Sequence, residues 1–384
     1  MNIKRYIATI ILAIVLLLNF SCTDWLDVKP VDRMSEDQLY STEAGFRQAL
    51  NGIYVELNHA DLYGDELLVN TVEILAQRYK FSSMGTLTNQ YHLAEFDYTT
   101  DYAKKCGSRI WEKAYALIAN VNKLLKNADS HKDLFTGDSY DLITGEAYAL
   151  RAFLHFDLLR LFGPVYKTHK EDKSICYNTQ FSLSGSDLLP ASKVMEYVIA
   201  DLKEAEDRLA KDPIIEEGPL LSDGATEEED FWRYRSLRLN YYAVKALQAR
   251  AYLYAEMNED ALEAARTVVA VQEKWFPFLE YSAIVGNSKT PNRVFSTELL
   301  FCMQNTKRNT IFTPDLKDDQ MYVTPKTFLE NIFGTLARND RRYEPIWLSP
   351  SNHDFRCFHK YADIESATFY SNLIPMIRVT EMYY

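Results

Sequence analysis

Glycine is scarce in this chain, with 13 in 384 residues, and it forms no phosphate-cradling loop. The P-loop and the Gly-rich dinucleotide fingerprint are both missing, as are HExxH and GxSxG, so the common nucleotide, zinc-hydrolase and serine-hydrolase signatures supply no reading of function and no cofactor. Five cysteines contain no CxxC pair. Cys106, Cys176, Cys302 and Cys357 are widely spaced in a chain long enough to bury a core without staples, which argues against a zinc ribbon and a disulfide scaffold. A basic surplus is lacking too: 42 Lys+Arg stand against 54 Asp+Glu, for a net charge of -12. Nucleic-acid binding is disfavoured, because nothing replaces the phosphate counterions. After the first twenty residues no apolar run approaches the roughly 20 residues a helix needs to cross a bilayer.

What is present begins at the N-terminus. Lys4 and Arg5 lead into thirteen uncharged, largely apolar residues from Tyr6 to Leu18, followed by Asn19, Phe20, Ser21 and Cys22. Charge, length and the small residue at the end predict a cleaved signal over residues 1–21. Cys22 directly after Ser21 points to lipid attachment, since a thiol at the new N-terminus can carry acyl chains. An ordinary secretory signal with Cys22 merely nearby is the alternative. Several acyl chains, at about 0.8 kcal/mol per buried CH₂, hold a domain on a membrane stably.

Scarce glycine with plentiful Ala, Leu and Tyr predicts a mostly α fold. Trp111, Tyr115, Ile118, Val121 and Leu125 recur at helical spacing. Gly145 to Phe162 is apolar nearly all round, broken by Arg151, His155, Asp157 and Arg160, and predicts a helix covered on most sides and stopped by a left-handed Gly163 before Pro164. Val194 to Leu209 gives another helix. Leu239 to Tyr254, with Ala243, Ala246 and Ala249, pairs with Ala261 to Val269 as a tetratricopeptide-like helix-turn-helix. The acidic stretch from Glu216 to Asp230 reads as a solvated loop, since it lacks the alternating ligands of a calcium loop. Residues 61–105 and 275–370 lack long periodic runs, and such irregular segments are where a binding surface is displayed.

With these pieces in order, the chain resembles the SusD/RagB family of outer-membrane lipoproteins of Bacteroidetes. The resemblance rests on Cys22 with Trp25, Leu26, Asp27 and Pro30; on Trp111 to Asn122; on Glu146 to Pro164; on Asp201 to Ala205; on Asn240 to Tyr254; on Asn339 to Arg342; and on Ile374 to Tyr383. It implies tetratricopeptide-like helix pairs packed with an irregular, loop-rich ligand-binding half, arranged as a SusD-like N-terminal region over 22–235 and a C-terminal region over 236–384. It also implies non-catalytic binding of an oligosaccharide or related nutrient at the cell surface and delivery to a SusC-like, TonB-dependent transporter. In the family the final segment continues beyond the equivalent of Tyr384, so the resemblance further implies a C-terminally incomplete chain.

A sugar site needs flat apolar faces for ring C–H groups and planar polar groups for hydroxyls. Tyr79, Asn89, Gln90 and Tyr91, in the segment from Gln77 to His92, offer that mixture, and Trp275 and Trp347 join them as aromatic residues in irregular segments, alongside Tyr63 and Tyr361. Each aromatic residue has core packing as its plainer role. A glycoside hydrolase, which needs only paired carboxylates, and a helical scaffold for protein partners are the alternative functions. His353, Cys357 and His359 are the nearest approach to a metal cluster but match no known ligand spacing.

Overall fold

The computed structural model describes residues 35–384, apart from 82, 183–184, 223–225, 227–229, 287–288, 309–322, 335–339, 344, 349–354, 363 and 366–367. The signal, Cys22 and Trp25, and also Asn339 and His353, lie outside the described residues. The fold is mostly α-helical. Its main helices are α1 (Glu43–Leu57), α2 (Thr88–Ala94), α3 (Asp101–Ser130), α4 (Ser139–Phe162), α5 (Ala191–Arg208), α6 (Tyr241–Tyr254), α7 (Asn258–Val269) and α8 (Lys326–Phe333).

Side chains that accept from free backbone N–H groups mark several starts. Thr42 Oγ1 accepts from Gly45 N at 3.2 Å to open α1, Thr100 from Ala103 N at 3.3 Å to open α3, and Asn240 Oδ1 from Ala243 N at 2.9 Å to open α6. The expectation of a left-handed cap at Gly163 is corrected: its φ of -81° and ψ of 169° are extended. Glycine is needed there for space, because a Cβ would stand 2.4 Å from the Leu159 carbonyl oxygen.

Helix α4 is the centre. It packs on α3, α5 and α1, and it is buried on nearly every face, as its nearly all-round apolar character required. The α6–α7 pair follows as read, with Ala243 and Ala246 fully buried and α6 lying against both α5 and α7. Two further features escaped the sequence reading. Phe46, Leu50, Ile53 and Leu57 form the buried stripe of α1, and α3 begins at Asp101, well before Trp111.

The region after 275 contains short strands. β1 (Leu299–Gln304) pairs antiparallel with β5 (Leu373–Arg378), and β2 (Val323–Pro325), β4 (Phe355–Phe358) and β3 (Trp347–Leu348) form a second sheet in the order β2-β4-β3. One core cluster runs from Tyr40 through the helices to Val379. A smaller one holds Leu279, Ile284, Phe295, Leu329, Tyr343, Ile346 and Trp347.

Candidate functional site

A buried charge network lies where α1, α4 and the turn before α6 meet. Arg235 has no exposed surface, and its guanidinium donates twice to Asp212, at 2.9 and 2.7 Å, and once to Glu146 at 2.7 Å. Asp212 also accepts from Ile214 N and Tyr241 N. Glu146 receives the Tyr54 hydroxyl at 2.9 Å and Arg238 Nη1 at 3.2 Å. Burial raises the Tyr54 hydroxyl well above its ordinary pKa, with the Glu146 charge adding to it, so the phenol keeps its proton and remains a donor. Two carboxylates and two guanidiniums thus satisfy one another out of water, which fixes the geometry of everything above them.

Above this floor is a groove. A cavity of about 340 Å³ is lined by Asn51, Tyr54, Asn58, Asp230, Arg233, Tyr234, Arg238 and Gln304, among others. It adjoins a second of about 400 Å³ that shares Asn51, Asp230 and Arg238 and adds Arg47 and Gln48. Arg238 is held from below by Glu146 and from the side by Asn51 Oδ1, and its guanidinium carbon sits 4.0 Å from the Phe231 ring centroid. Arg233 donates to the Ser222 carbonyl and hydroxyl. Asn58 keeps a buried Oδ1 with no hydrogen-bond partner among the described residues, so the groove wall has an unused acceptor. Tyr234 has φ 48° and ψ 44°, the left-handed region that a bulky side chain rarely enters. That backbone carries its ring onto Phe369, stacked with centroids 5.8 Å apart and planes at 26°. Phe369 is 40% exposed, so the stacked pair forms an accessible aromatic edge.

The residues singled out from sequence are dispersed. Tyr79 is buried and meets Phe81 edge-on, while the backbone on either side of it joins β2, through Lys80 N to Val323 O at 2.9 Å and Thr324 Oγ1 to Arg78 O at 2.7 Å. Trp347 is buried in the smaller cluster against Phe358. Tyr63 is buried with its hydroxyl on Asp157 at 2.7 Å, and Tyr361 is buried next to Phe358. Asn89, Gln90 and Tyr91 lie on α2, Asn89 exposed and Tyr91 half-buried against His92. Trp275 is half-buried over Gly218, whose φ of +74° and missing Cβ let the ring approach; a Cβ there would stand 2.4 Å from the indole. None of these candidates lines the groove. A cavity of about 350 Å³ near α2 is lined instead by apolar groups such as Leu75, Leu93, Ile110 and Phe162.

Arg151 and His155, noted on α4, are structural. Arg151 is bidentate to Asp201 and also bonds Asn122, and His155 is wholly buried. Among the described residues no group of three or more His, Cys, Asp or Glu side chains is placed to hold a metal ion, and no helix is long and apolar enough to cross a membrane.

A SusD-like family profile described as "Starch-binding associating with outer membrane" matches residues 24–253, more than half of the sequence. The chain belongs to the SusD-like family. SusD-like protein P2 of Formosa agariphila is 27% identical over 208 residues, covering 54% of this chain and 38% of that protein; SusD-like protein P25 of the same organism is 27% identical over 148 residues, covering 38% and 28%. The chain thus spans well under half the length of the curated SusD-like relatives it matches. A SusD superfamily protein from Bacteroides thetaiotaomicron superposes with a TM-score of 0.66 at 19% identity, covering 89% of this chain and 74% of the other. A SusD-like carbohydrate binding protein from Bacteroides vulgatus gives 0.64 at 18%, covering 89% and 70%. These superpositions establish the SusD-like fold.

Proposed function

We propose that this SusD-like chain captures an oligosaccharide without cleaving it, in the groove between α1, the 230–238 segment and the end of β1. The observation that carries this reading is the groove's lining: amides from Asn51, Asn58 and Gln304, guanidiniums from Arg233 and Arg238 and the Asp230 carboxylate face a space edged by Tyr234. Such planar groups hold pairs of sugar hydroxyls, and the aromatic edge takes the C–H face of a ring. The rigid floor keeps them preorganised, so little side-chain freedom is lost on binding. The family description and the carbohydrate-binding relative support the ligand class. Lipid on Cys22 would hold the domain at the outer membrane, and a SusC-like, TonB-dependent transporter would receive the ligand. Asn89, Gln90, Tyr91 and Trp275 are proposed as contacts outside the groove for the remainder of a long ligand.

Calorimetric titration against a panel of neutral and acidic polysaccharides, with reducing ends monitored, tests the reading. Tyr234→Ala and Asn51→Ala should each weaken the bound saccharide by about tenfold, equivalent to about 1.4 kcal/mol, with folding intact. Tyr91→Ala should cost less. A larger loss at Tyr91 than at Tyr234 would move the main site to α2, and release of new reducing ends would replace capture by hydrolysis.

A further inference from the structure

The stripe of α1 that walls the groove runs amide, apolar, amide. Asn51, Tyr54, Val55 and Asn58 stand at i, i+3, i+4 and i+7, and all four line the cavity of about 340 Å³. The two amides are fixed in opposite senses. Asn51 accepts from Arg238 through Oδ1, and its Nδ2 makes no hydrogen bond with a described residue. Asn58 Nδ2 turns back to Tyr54 O at 3.4 Å and leaves Oδ1 buried without a partner among the described residues. One position therefore offers a donor and the other an acceptor, about 10 Å apart along the helix axis. Val55, 67% exposed, lies between them as an apolar contact.

Charge around the groove is balanced among the described residues. The guanidiniums of Arg47, Arg233, Arg235 and Arg238 stand against the carboxylates of Glu43, Glu146, Asp212 and Asp230. The guanidiniums are also engaged. Arg47 Nη1 is on Glu43 at 2.8 Å, Arg238 divides its two Nη groups between Glu146 and Asn51, and Arg233 gives Nε and Nη2 to the Ser222 carbonyl and hydroxyl. The Phe231 ring centroid lies 4.0 Å from the Arg238 guanidinium carbon and 5.9 Å from that of Arg47, so an aromatic face takes up further space around both cations. Asp230 lines both cavities. An entering carboxylate or sulfate would give up its water, meet the like charge of Asp230 and find no surplus of positive charge to offset the loss. A hydroxyl loses far less on leaving water, and because it both donates and accepts it can use Asn58 Oδ1, Asn51 Nδ2 and the N–H groups that the guanidiniums have left.

We propose, on the basis of saccharide capture in this groove, that it takes an uncharged sugar chain with free hydroxyls and discriminates against uronic-acid and sulfated chains, with Asn58 Oδ1 accepting from one hydroxyl and Asn51 Nδ2 donating to another. Selection comes from the balance of charge and not from the shape of the walls alone, so it follows the charge of the ligand across different backbones.

The full chain is titrated by calorimetry with neutral malto-, cello-, manno- and xylo-oligosaccharides, with oligogalacturonate and a sulfated galactan oligosaccharide, and with carboxylated and sulfated derivatives of whichever neutral sugar binds. The neutral sugar should bind about tenfold more tightly than its own charged derivatives. Its Kd should not change from low to high salt, since no ion pair forms with the ligand. Asp230→Asn should narrow the ratio between neutral and charged forms by about threefold, and Asn58→Leu should weaken the neutral sugar by about tenfold. The comparison of ligands on the parent protein needs no variant to fold. Equal affinity for the neutral sugar and its charged derivatives, or binding of oligogalacturonate or the sulfated chain when no neutral sugar binds, overturns the neutral class and leaves capture standing. Silence with every sugar, neutral and charged, overturns capture itself and the neutral class with it.

Discussion

Replacing Arg235 by methionine should lower the unfolding free energy by about 3–5 kcal/mol, the largest loss expected from any single polar substitution in this chain. The reason is what remains behind. Glu146 keeps Arg238 and Tyr54, but Asp212 is left buried with only the backbone amides of Ile214 and Tyr241, and its charge has no counterion within hydrogen-bond reach. A buried, uncompensated carboxylate costs far more than the lost pair contributes, because water no longer solvates it. Urea unfolding measures the loss directly. Lys193→Met, which removes an exposed pair with Glu196, should leave the urea midpoint essentially unchanged. If Arg235→Met cost less than about 1 kcal/mol, water would have to reach Asp212, and the floor of the groove would not be rigid.

Stability should fall by about 2 kcal/mol between about pH 7 and about pH 5 through His155 alone. Its imidazole is fully buried, Nδ1–H donates to Arg151 O at 2.9 Å, Nε2 accepts from Asn178 N at 3.0 Å, and the ring stacks on Tyr177 at 3.8 Å. Both nitrogens are satisfied in the neutral form. Burial, reinforced by the Arg151 charge, pushes its pKa down from 6.5 to about 3. The unfolded chain therefore binds a proton below about 6.5 that the folded chain refuses until about 3, so stability is complete above the first value and declines as pH falls between the two. Urea midpoints for the parent and His155→Gln over this range separate this residue from the carboxylates, which titrate lower. Parallel pH slopes for the two proteins would show that His155 takes up its proton without unfolding.

Helices whose apolar residues recur over several turns were legible in the sequence. Trp111 to Leu125, the all-round apolar run ending at Phe162 and the alanine-spaced run before Tyr254 all form buried helices, because periodicity reports which face must leave water. Pairing among distant segments was not legible. Strands of two to six residues, such as Trp347–Leu348 and Leu299–Gln304, are too short for a period to show. The groove was hidden for the same reason: Asn51, Arg238 and Gln304 are brought together only by tertiary packing. Nothing local to Asp212 revealed that Arg235 would reach it. The aromatic candidates Tyr79 and Trp347 show the limit of residue type as a signal, since a ring in an irregular segment can fill a core as readily as meet a ligand.

The pairing of β1 with β5 has a consequence for how the molecule comes apart. Gln304 lies opposite Leu373, so that pairing closes a long chain loop that carries β2, α8, β3 and β4, fastened by Arg308 on the Leu373 carbonyl and by β2 on the backbone beside Tyr79. The loop should then open as a cooperative unit at a free energy below that of global unfolding, visible as an intermediate tier of amide exchange between α4 and the surface turns. Because Phe369 rides on the clasp, the groove edge would loosen in the same event.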